Sequence, residues 1–244
     1  MTWPEIGWVI IALAALLLVV FNFWFKHRGR YPARTQPAVK SFAAQRVCAV
    51  ERGQQRWVLL GDQFWSRAYP GLGLQALSVF TSLSTVDPLA DEGHIAAAGT
   101  GELALFARQI AQGRYQGGVS TGLVVALPGP TPFSFLAGAM AELGLHPLGS
   151  LGLFGNYGQT GVLLAEATEM KGGHLLAAAG SVDAQAALFL ATRDLLIAEE
   201  VFMLPGLFDP TPSNQAGWVS EDILRVALMV LLVIAAGLKM AGVI

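Results

Sequence analysis

The sequence has little charge and almost no cysteine, and both shortages restrict what the protein can be. Charged residues make up 13% of the 244 residues, whereas hydrophobic residues make up 54%. That balance differs from an average soluble domain and favours a membrane protein. Cys48 is the single cysteine, which excludes a disulfide framework and a cysteine metal site. The net charge of −2, with basic residues concentrated only after the first apolar run, gives no reason to expect a nucleic-acid partner.

The sequence also lacks the common catalytic and metal-binding motifs. His27, His94, His146 and His174 are scattered, without an H-E-x-x-H pattern, and there is no P-loop. Residues 118–122 match the G-x-S-x-G string of hydrolases, but they precede a predicted strand, whereas a nucleophile elbow follows one. We therefore predict no enzyme activity, no metal and no cofactor.

Two long apolar runs lie near the ends of the sequence. Residues 6–25 are uncharged, and about 20 residues is the length that a helix needs to cross a bilayer core. Residues 223–244 are apolar apart from Arg225 and Lys239, which are near enough to the ends to reach the interface. These runs predict transmembrane helices at residues 1–26 and 221–244. A buried core helix is the alternative for the second.

The charges around the first run predict the orientation in the cell membrane. Glu5 precedes the run, whereas Lys26, Arg28, Arg30 and Arg34 follow it. Because basic residues tend to remain on the cytoplasmic side, both termini are predicted outside and the chain between the spans in the cytoplasm. Residues 27–41, which are basic and contain two prolines, are predicted to form a linker. Residues 209–220, also proline-rich, are predicted to connect the domain to the second span.

Residues 42–208 have the pattern of an α/β domain. Residues 45–50 and 56–60 are β-type runs around Gly53, which predicts a hairpin, and residues 72–84 have helical spacing. A unit of strand, glycine-bearing turn and helix then repeats, with strands at 95–98, 123–127, 150–154 and 175–179. Uncharged strands alternating with helices predict a largely parallel, Rossmann-like sheet with flanking helices.

Several segments carry a family resemblance: residues 155–158 (GNYG), 164–169 (LAEATE), 174–180 and 191–200 (ATRDLLIAEE), together with residues 57–73. They resemble a bacterial and archaeal membrane-protein family that is known only as a domain of unknown function. The resemblance covers most of residues 55–240. It implies an N-terminal span, an α/β domain and a C-terminal span, but no activity.

Two sets of residues are candidates for a ligand site. Gly99 and Gly101 belong to the run GTGELA, which follows a predicted strand and opens a predicted helix, as a dinucleotide loop does. The ribose-binding acid expected after the next strand is missing, so a tight packing turn is the other interpretation. Glu166, Glu199 and Glu200 each occur within an otherwise apolar predicted helix. Such acids either face solvent or line a pocket or subunit interface.

The apolar and small residues of the predicted helices indicate a protein that associates with itself. A single small domain cannot bury that much apolar surface, so neighbouring subunits would have to cover it. We expect a structural scaffold, either a homo-oligomer or a subunit of a larger membrane complex. The alternative is a membrane-bound sensor that binds a small anionic ligand or nucleotide at the carboxyl ends of the strands. A membrane-bound hydrolase ranks third, because no nucleophile and base are apparent.

Overall fold

The computed structural model describes residues 15–16, 18–24, 36–61, 71–86, 94–115 and 124–240. The chain divides into two compact units, one formed by Arg34–Asp209 and the other by Met1–Ala33 with Pro210–Ile244. The first unit contains the α/β domain that the sequence predicts. Its described elements in chain order are α1 (Pro37–Glu51), β1 (Gln55–Leu60), α2 (Leu72–Val86), β2 (His94–Ala98), α3 (Gly101–Tyr115), β3 (Val124–Ala126), α4 (Pro132–Leu145), β4 (Leu148–Gly155), α5 (Thr160–Met170), β5 (His174–Ala179), α6 (Val182–Ala191), β6 (Leu195–Leu196) and α7 (Glu200–Phe208).

The strands form one six-stranded sheet in the order β3-β2-β1-β4-β5-β6, and all neighbours are parallel. The parallel α/β prediction is therefore confirmed. Leu60 of β1 is in register with Ala98 of β2 on one side and Phe154 of β4 on the other. The strand order reverses between β1 and β4, and this reversal is the position at which open α/β sheets usually form a binding crevice.

Helices cover both faces of the sheet. Val58 and Leu60 pack in a core with α1, α2, α3 and α7, whereas Trp57 and Leu59 pack in a core with α4, α5 and α6. All four side chains are at most 1% exposed, so β1 is buried on both faces. This burial explains why the strands are continuous apolar runs without polar alternation.

The hairpin predicted for residues 45–60 is wrong, because residues 45–50 belong to helix α1. The buried residues of α1 are Val39, Phe42, Arg46 and Ala49, which are spaced three and four apart as one helical face requires. The polar segment after them ends the helix. Gly53 has a φ of 65°, and the amides of residues 53 and 54 donate to Val50 O and Ala49 O. β1 then pairs in parallel with β2 and β4.

A second difference concerns the helix that the sequence predicts around Glu199 and Glu200. Helix α6 ends at Ala191, and the short strand β6 follows at Leu195–Leu196. Ala198 then has a φ of 55° in a turn, and α7 begins at Glu200. The two glutamates are therefore at the beginning of a helix, and only Glu166 is within one.

The second unit contains α8 (Pro212–Met240), a helix of 29 residues that begins within the predicted connector. Many of its large apolar side chains are exposed, with Leu228 59% and Val233 72% exposed. Residues 15–16 and 18–24 of the first predicted span are also helical. Among the residues that the structure describes, no helix combines the length and apolarity needed to cross a bilayer. The rest of residues 1–26, most of the predicted linker and residues 241–244 lie outside the described residues, and α1 begins inside that linker at Pro37.

Candidate functional site

At the carboxyl edge of the sheet, main-chain atoms of two loops meet where the strand order reverses. Gly61 follows β1, and Gly155, with a φ of 123°, ends β4. A Cβ atom on Gly61 would lie 2.3 Å from Asn156 N, and one on Gly155 would lie 2.8 Å from Gly61 N. Gly61 N also donates to Phe154 O at 2.7 Å. The space between the ends of β1 and β4 is therefore filled by backbone.

The predicted glycine loop lies one strand away from this reversal point. Gly99 follows β2, is buried, and donates its amide to Leu60 O at 3.3 Å. Gly101 is the first residue of α3, and a Cβ there would have no atom within 4 Å. In sheets of this strand order the dinucleotide loop follows β1, not β2. The placement of these glycines favours the packing turn, and their role as ligand-binding residues stays a prediction.

Two helices that begin at the carboxyl edge carry features that disfavour an anion. Thr100 Oγ1 accepts the Leu103 amide at 3.3 Å in α3, and Ser181 Oγ accepts the Ala184 amide at 3.3 Å in α6. These side-chain caps occupy amides that a phosphate would need. Each first turn also contains an acid, Glu102 in α3 and Asp183 in α6, and these carboxylates would repel an anion.

The structure does not bring the three predicted glutamates together. Glu166 is exposed on α5, on the opposite side of the sheet from α7, whereas Glu199 and Glu200 begin α7. Glu200 Oε1 accepts a hydrogen bond of 2.6 Å from Gln36 Nε2, and its Oε2 accepts the Ile197 amide at 3.4 Å. Glu200 therefore ties the start of α1 to the start of α7. Whether any of the three binds a ligand stays a prediction.

A cluster of polar side chains that the sequence did not predict lies at the amino edge of the sheet. Ser41 of α1, His174 at the start of β5 and Asp194 just before β6 contact one another. His174 Nε2 is 3.0 Å from Asp194 Oδ2, Ser41 Oγ donates to the same carboxylate oxygen at 3.0 Å, and Ser41 Oγ is 3.4 Å from His174 Nε2. The cluster joins a helix and the starts of two adjacent strands.

These three residue types form catalytic triads in hydrolases, but the geometry here is different. In a triad the serine and the carboxylate contact opposite nitrogens of the histidine ring, so that one nitrogen is free to accept the serine proton. Here Asp194 and Ser41 both approach Nε2. The Ser41 proton is directed to Asp194 Oδ2 or to Ala38 O, which is 2.9 Å from Ser41 Oγ. The arrangement holds α1 against the sheet and does not activate the serine.

A cleft of about 640 Å³ adjoins this cluster, which is within the size range of small-molecule sites. The ends of α5 and α6, the start of β5 and residues 192–194, which join α6 to β6, form its walls. His174 and Asp194 lie on one side, each with a 26% exposed side chain. Glu169 and Arg193 are charged wall residues that are exposed, and Phe189 adds an apolar surface. The cleft thus combines both signs of charge with an apolar wall.

Sequence reasoning missed the cluster because its members are 133 and 153 positions from Ser41. One signal was available: His174 and Asp194 each stand at or just before the start of a strand, and parallel neighbours begin at the same edge. Among the described residues, no group of three or more histidines, cysteines and acids could hold a metal. His27, residues 118–122 and the side chain of His94 lie outside the described part of the chain.

Comparisons with models of protein families, with curated protein sequences and with solved structures found no match. The family resemblance of the sequence therefore stays a prediction.

Proposed function

We propose that the protein is a membrane-anchored scaffold whose α/β domain associates with a second copy of itself. The observation that carries the proposal is the outer surface of α4. This surface, the α4 face, consists of six exposed residues spaced three and four apart: Phe133, Ala137, Met140, Ala141, Gly144 and Leu145. None of the six is charged or polar, although all of them are open to solvent in the single chain.

The α4 face is the second apolar surface of the same helix. The first, which includes Phe135, Leu136 and Leu143, is buried against the sheet. On the outer side Phe133 is 78% exposed and Leu145 is 75% exposed. A helix at the surface of a monomer normally has a polar outer side. Since each Å² of apolar surface removed from water is worth about 25 cal/mol, a partner that covers this face would gain appreciable free energy.

A second copy of the chain fits the α4 face better than a polar partner would. Ala137, Ala141 and Gly144 have little or no side chain, so the axes of two such helices can approach closely. In a twofold dimer the same face serves both subunits, and it must therefore be complementary to itself. An uncharged surface meets this condition, because no like charges are brought together.

The mass of the purified full-length protein in detergent tests the proposal. Light scattering or sedimentation should report an oligomer whose dissociation depends on protein concentration. Met140→Arg places a charge in the centre of the α4 face and should shift the particle towards the monomer. Gln109→Arg, at an exposed position of α3, is the matched control and should leave the mass unchanged.

The thermal unfolding midpoint of each dissociated variant shows whether it is still folded. A wild-type protein that is monomeric at all concentrations would overturn the proposal. So would a folded Met140→Arg variant with the wild-type mass, because the α4 face would then not be the contact.

The anchors in this proposal are residues 6–25 and 221–244, and the support for them is the sequence. The basic residues after the first run support a cytoplasmic α/β domain with both termini outside. Cysteine labelling tests the orientation once Cys48 has been replaced by alanine, since it is the single cysteine. In intact spheroplasts an impermeant maleimide should label Thr2→Cys and should reach Thr35→Cys only after permeabilisation. The reverse labelling pattern would overturn the proposed orientation. Absence of the protein from the membrane fraction would overturn the proposed anchors.

The alternative is a sensor that binds an anionic ligand at the carboxyl edge. Its support is the strand order, which is that of many nucleotide-binding sheets. Against it are the backbone contact of Gly61 with Gly155 and Asn156 and the acids in the first turns of α3 and α6. We rank the scaffold first for these reasons.

A further inference from the structure

The ends of the three helices on one side of the sheet differ in how their last carbonyl groups are satisfied. Lys171 Nζ donates to Leu143 O at the end of α4, and it lies 3.3 Å from His146 O. The backbone amides of Gly172 and Gly173 donate to Glu169 O at 2.8 Å and Thr168 O at 3.0 Å at the end of α5. Both helix ends therefore receive donors from the chain itself, as helix ends require.

At the end of α6, only Leu188 O has a donor among the described residues. The chain leaves the helix in an extended conformation at Thr192, whose amide donates to Leu188 O at 2.9 Å. Among the described residues, no amide or side chain donates to the carbonyl groups of Phe189, Leu190 or Ala191. These three residues line the cleft at the amino edge of the sheet. The negative end of the α6 dipole therefore forms one wall of that cleft.

The cleft is lined by charged residues of both signs. Glu169 and Asp194 add carboxylates to the lining. Asp194 Oδ2 already contacts Ser41 and His174, so Glu169 and the carbonyl groups of α6 are the acceptors open to an ammonium group. Lys171 shows that an ammonium satisfies a helix end in this layer, at α4. Arg193 is on the same cleft and forms no ion pair with a described residue. Its guanidinium matches the two oxygens of a carboxylate.

We infer that the cleft binds a small zwitterion, and specifically a free α-amino acid with an apolar side chain. The ammonium group lies at the end of α6 beside Glu169, and the carboxylate pairs with Arg193. The apolar side chain packs on Phe189, which is 67% exposed. The volume of about 640 Å³ is ample for such a molecule. This site is independent of the proposed scaffold contact, because no residue of the α4 face lines the cleft.

Three related probes test the inference by calorimetric titration of the purified full-length protein. L-Leucine has both charges, L-leucinamide lacks the carboxylate, and N-acetyl-L-leucine lacks the ammonium. Leucine should bind with one site per chain, and each analogue should bind at least about tenfold more weakly, because each lacks one charged contact. Equal binding of leucinamide would overturn the zwitterion in favour of a simple cation site. Equal binding of N-acetyl-L-leucine would overturn it in favour of an anion site.

Two pairs of variants locate the site. Glu169→Gln and Arg193→Gln should each weaken leucine binding about tenfold or more. Glu51→Gln on α1 and Arg108→Gln on α3 are matched controls, since both side chains are exposed and neither lines the cleft. Absence of leucine binding at millimolar concentration overturns the inference. So does an equal loss in the controls. The Met140→Arg variant should bind leucine as the wild type does. Loss of self-association and loss of leucine binding are therefore separate results, and each tests one proposal.

Discussion

The two edges of the sheet are held together in different ways. At the carboxyl edge, Gly61, Gly155 and Asn156 bring main-chain atoms into direct contact. At the amino edge, the side chains of Ser41, His174 and Asp194 form hydrogen bonds beside an open cleft. At the reversal point of the carboxyl edge the described backbone atoms are thus in contact, whereas the opposite edge offers polar groups and space. The difference predicts that substitutions at the two edges will have unequal effects.

The largest effect is expected at the carboxyl edge, from Gly61→Ala. Its new Cβ would lie 2.3 Å from Asn156 N, a backbone atom that cannot turn away as a side chain can. We expect the free energy of unfolding to fall by about 3 kcal/mol or more, since the loops after β1 and β4 must separate. Chemical denaturation of the full-length protein measures it.

Gly101→Ala is the control for that experiment, because a Cβ at Gly101 has no neighbour within 4 Å and its φ is not positive. The free energy of unfolding should change by less than about 0.5 kcal/mol, which is usual for a surface substitution. If Gly101 had a positive φ, as in a tight turn, the same substitution would lower the free energy of unfolding. If Gly61→Ala and Gly101→Ala lower the free energy of unfolding equally, the proposed contrast between these two positions is wrong.

An intermediate effect is expected at the amino edge, from Asp194→Ala. This change removes the acceptor of both Ser41 and His174. Because the side chains are partly exposed, we expect a loss of about 1–2 kcal/mol in the free energy of unfolding. A double-mutant cycle with Ser41→Ala should give a loss smaller than the sum of the single changes. Strict additivity would show that the cluster does not act as a unit.

An effect of opposite sign is expected from Ser150→Ala in β4. Ser150 is fully buried, and its Oγ has no hydrogen-bond partner among the described residues. Removing a buried hydroxyl that lacks a partner should raise the free energy of unfolding by about 0.5–1 kcal/mol. The thermal unfolding midpoint should rise accordingly. A clear decrease would mean that the hydroxyl is satisfied in the folded protein.

The sequence predicted the strands well because of their burial. Continuous uncharged runs at residues 150–154 and 175–179 are characteristic of strands covered on both faces, and β4 and β5 include both runs. Helix α1 was missed because its valines and Cys48 suggest a strand locally, while its buried face is visible only at helical spacing. Gly53 can end a helix or turn a hairpin, so it did not decide between them.

The polar cluster could not be predicted from local pattern, because its members meet only through the order of the strands. β5 lies between β4 and β6, which brings the start of β5 and the residue before β6 to one edge. Ser41 reaches them because α1 packs across β4 and β5. None of these pairings is encoded by spacing along the chain. The glutamates, by contrast, stood out in an apolar sequence but are distributed over both sides of the sheet.

The outermost strands of the sheet have a consequence for how such a protein can assemble. As described, β3 has three residues and β6 has two. Edge strands this short offer few free amides and carbonyls, so another chain has little template on which to extend the sheet. Aggregation through pairing of edge strands is thereby limited. In the proposed scaffold, contacts between copies would therefore involve helical surfaces, where side chains rather than backbone groups select the partner.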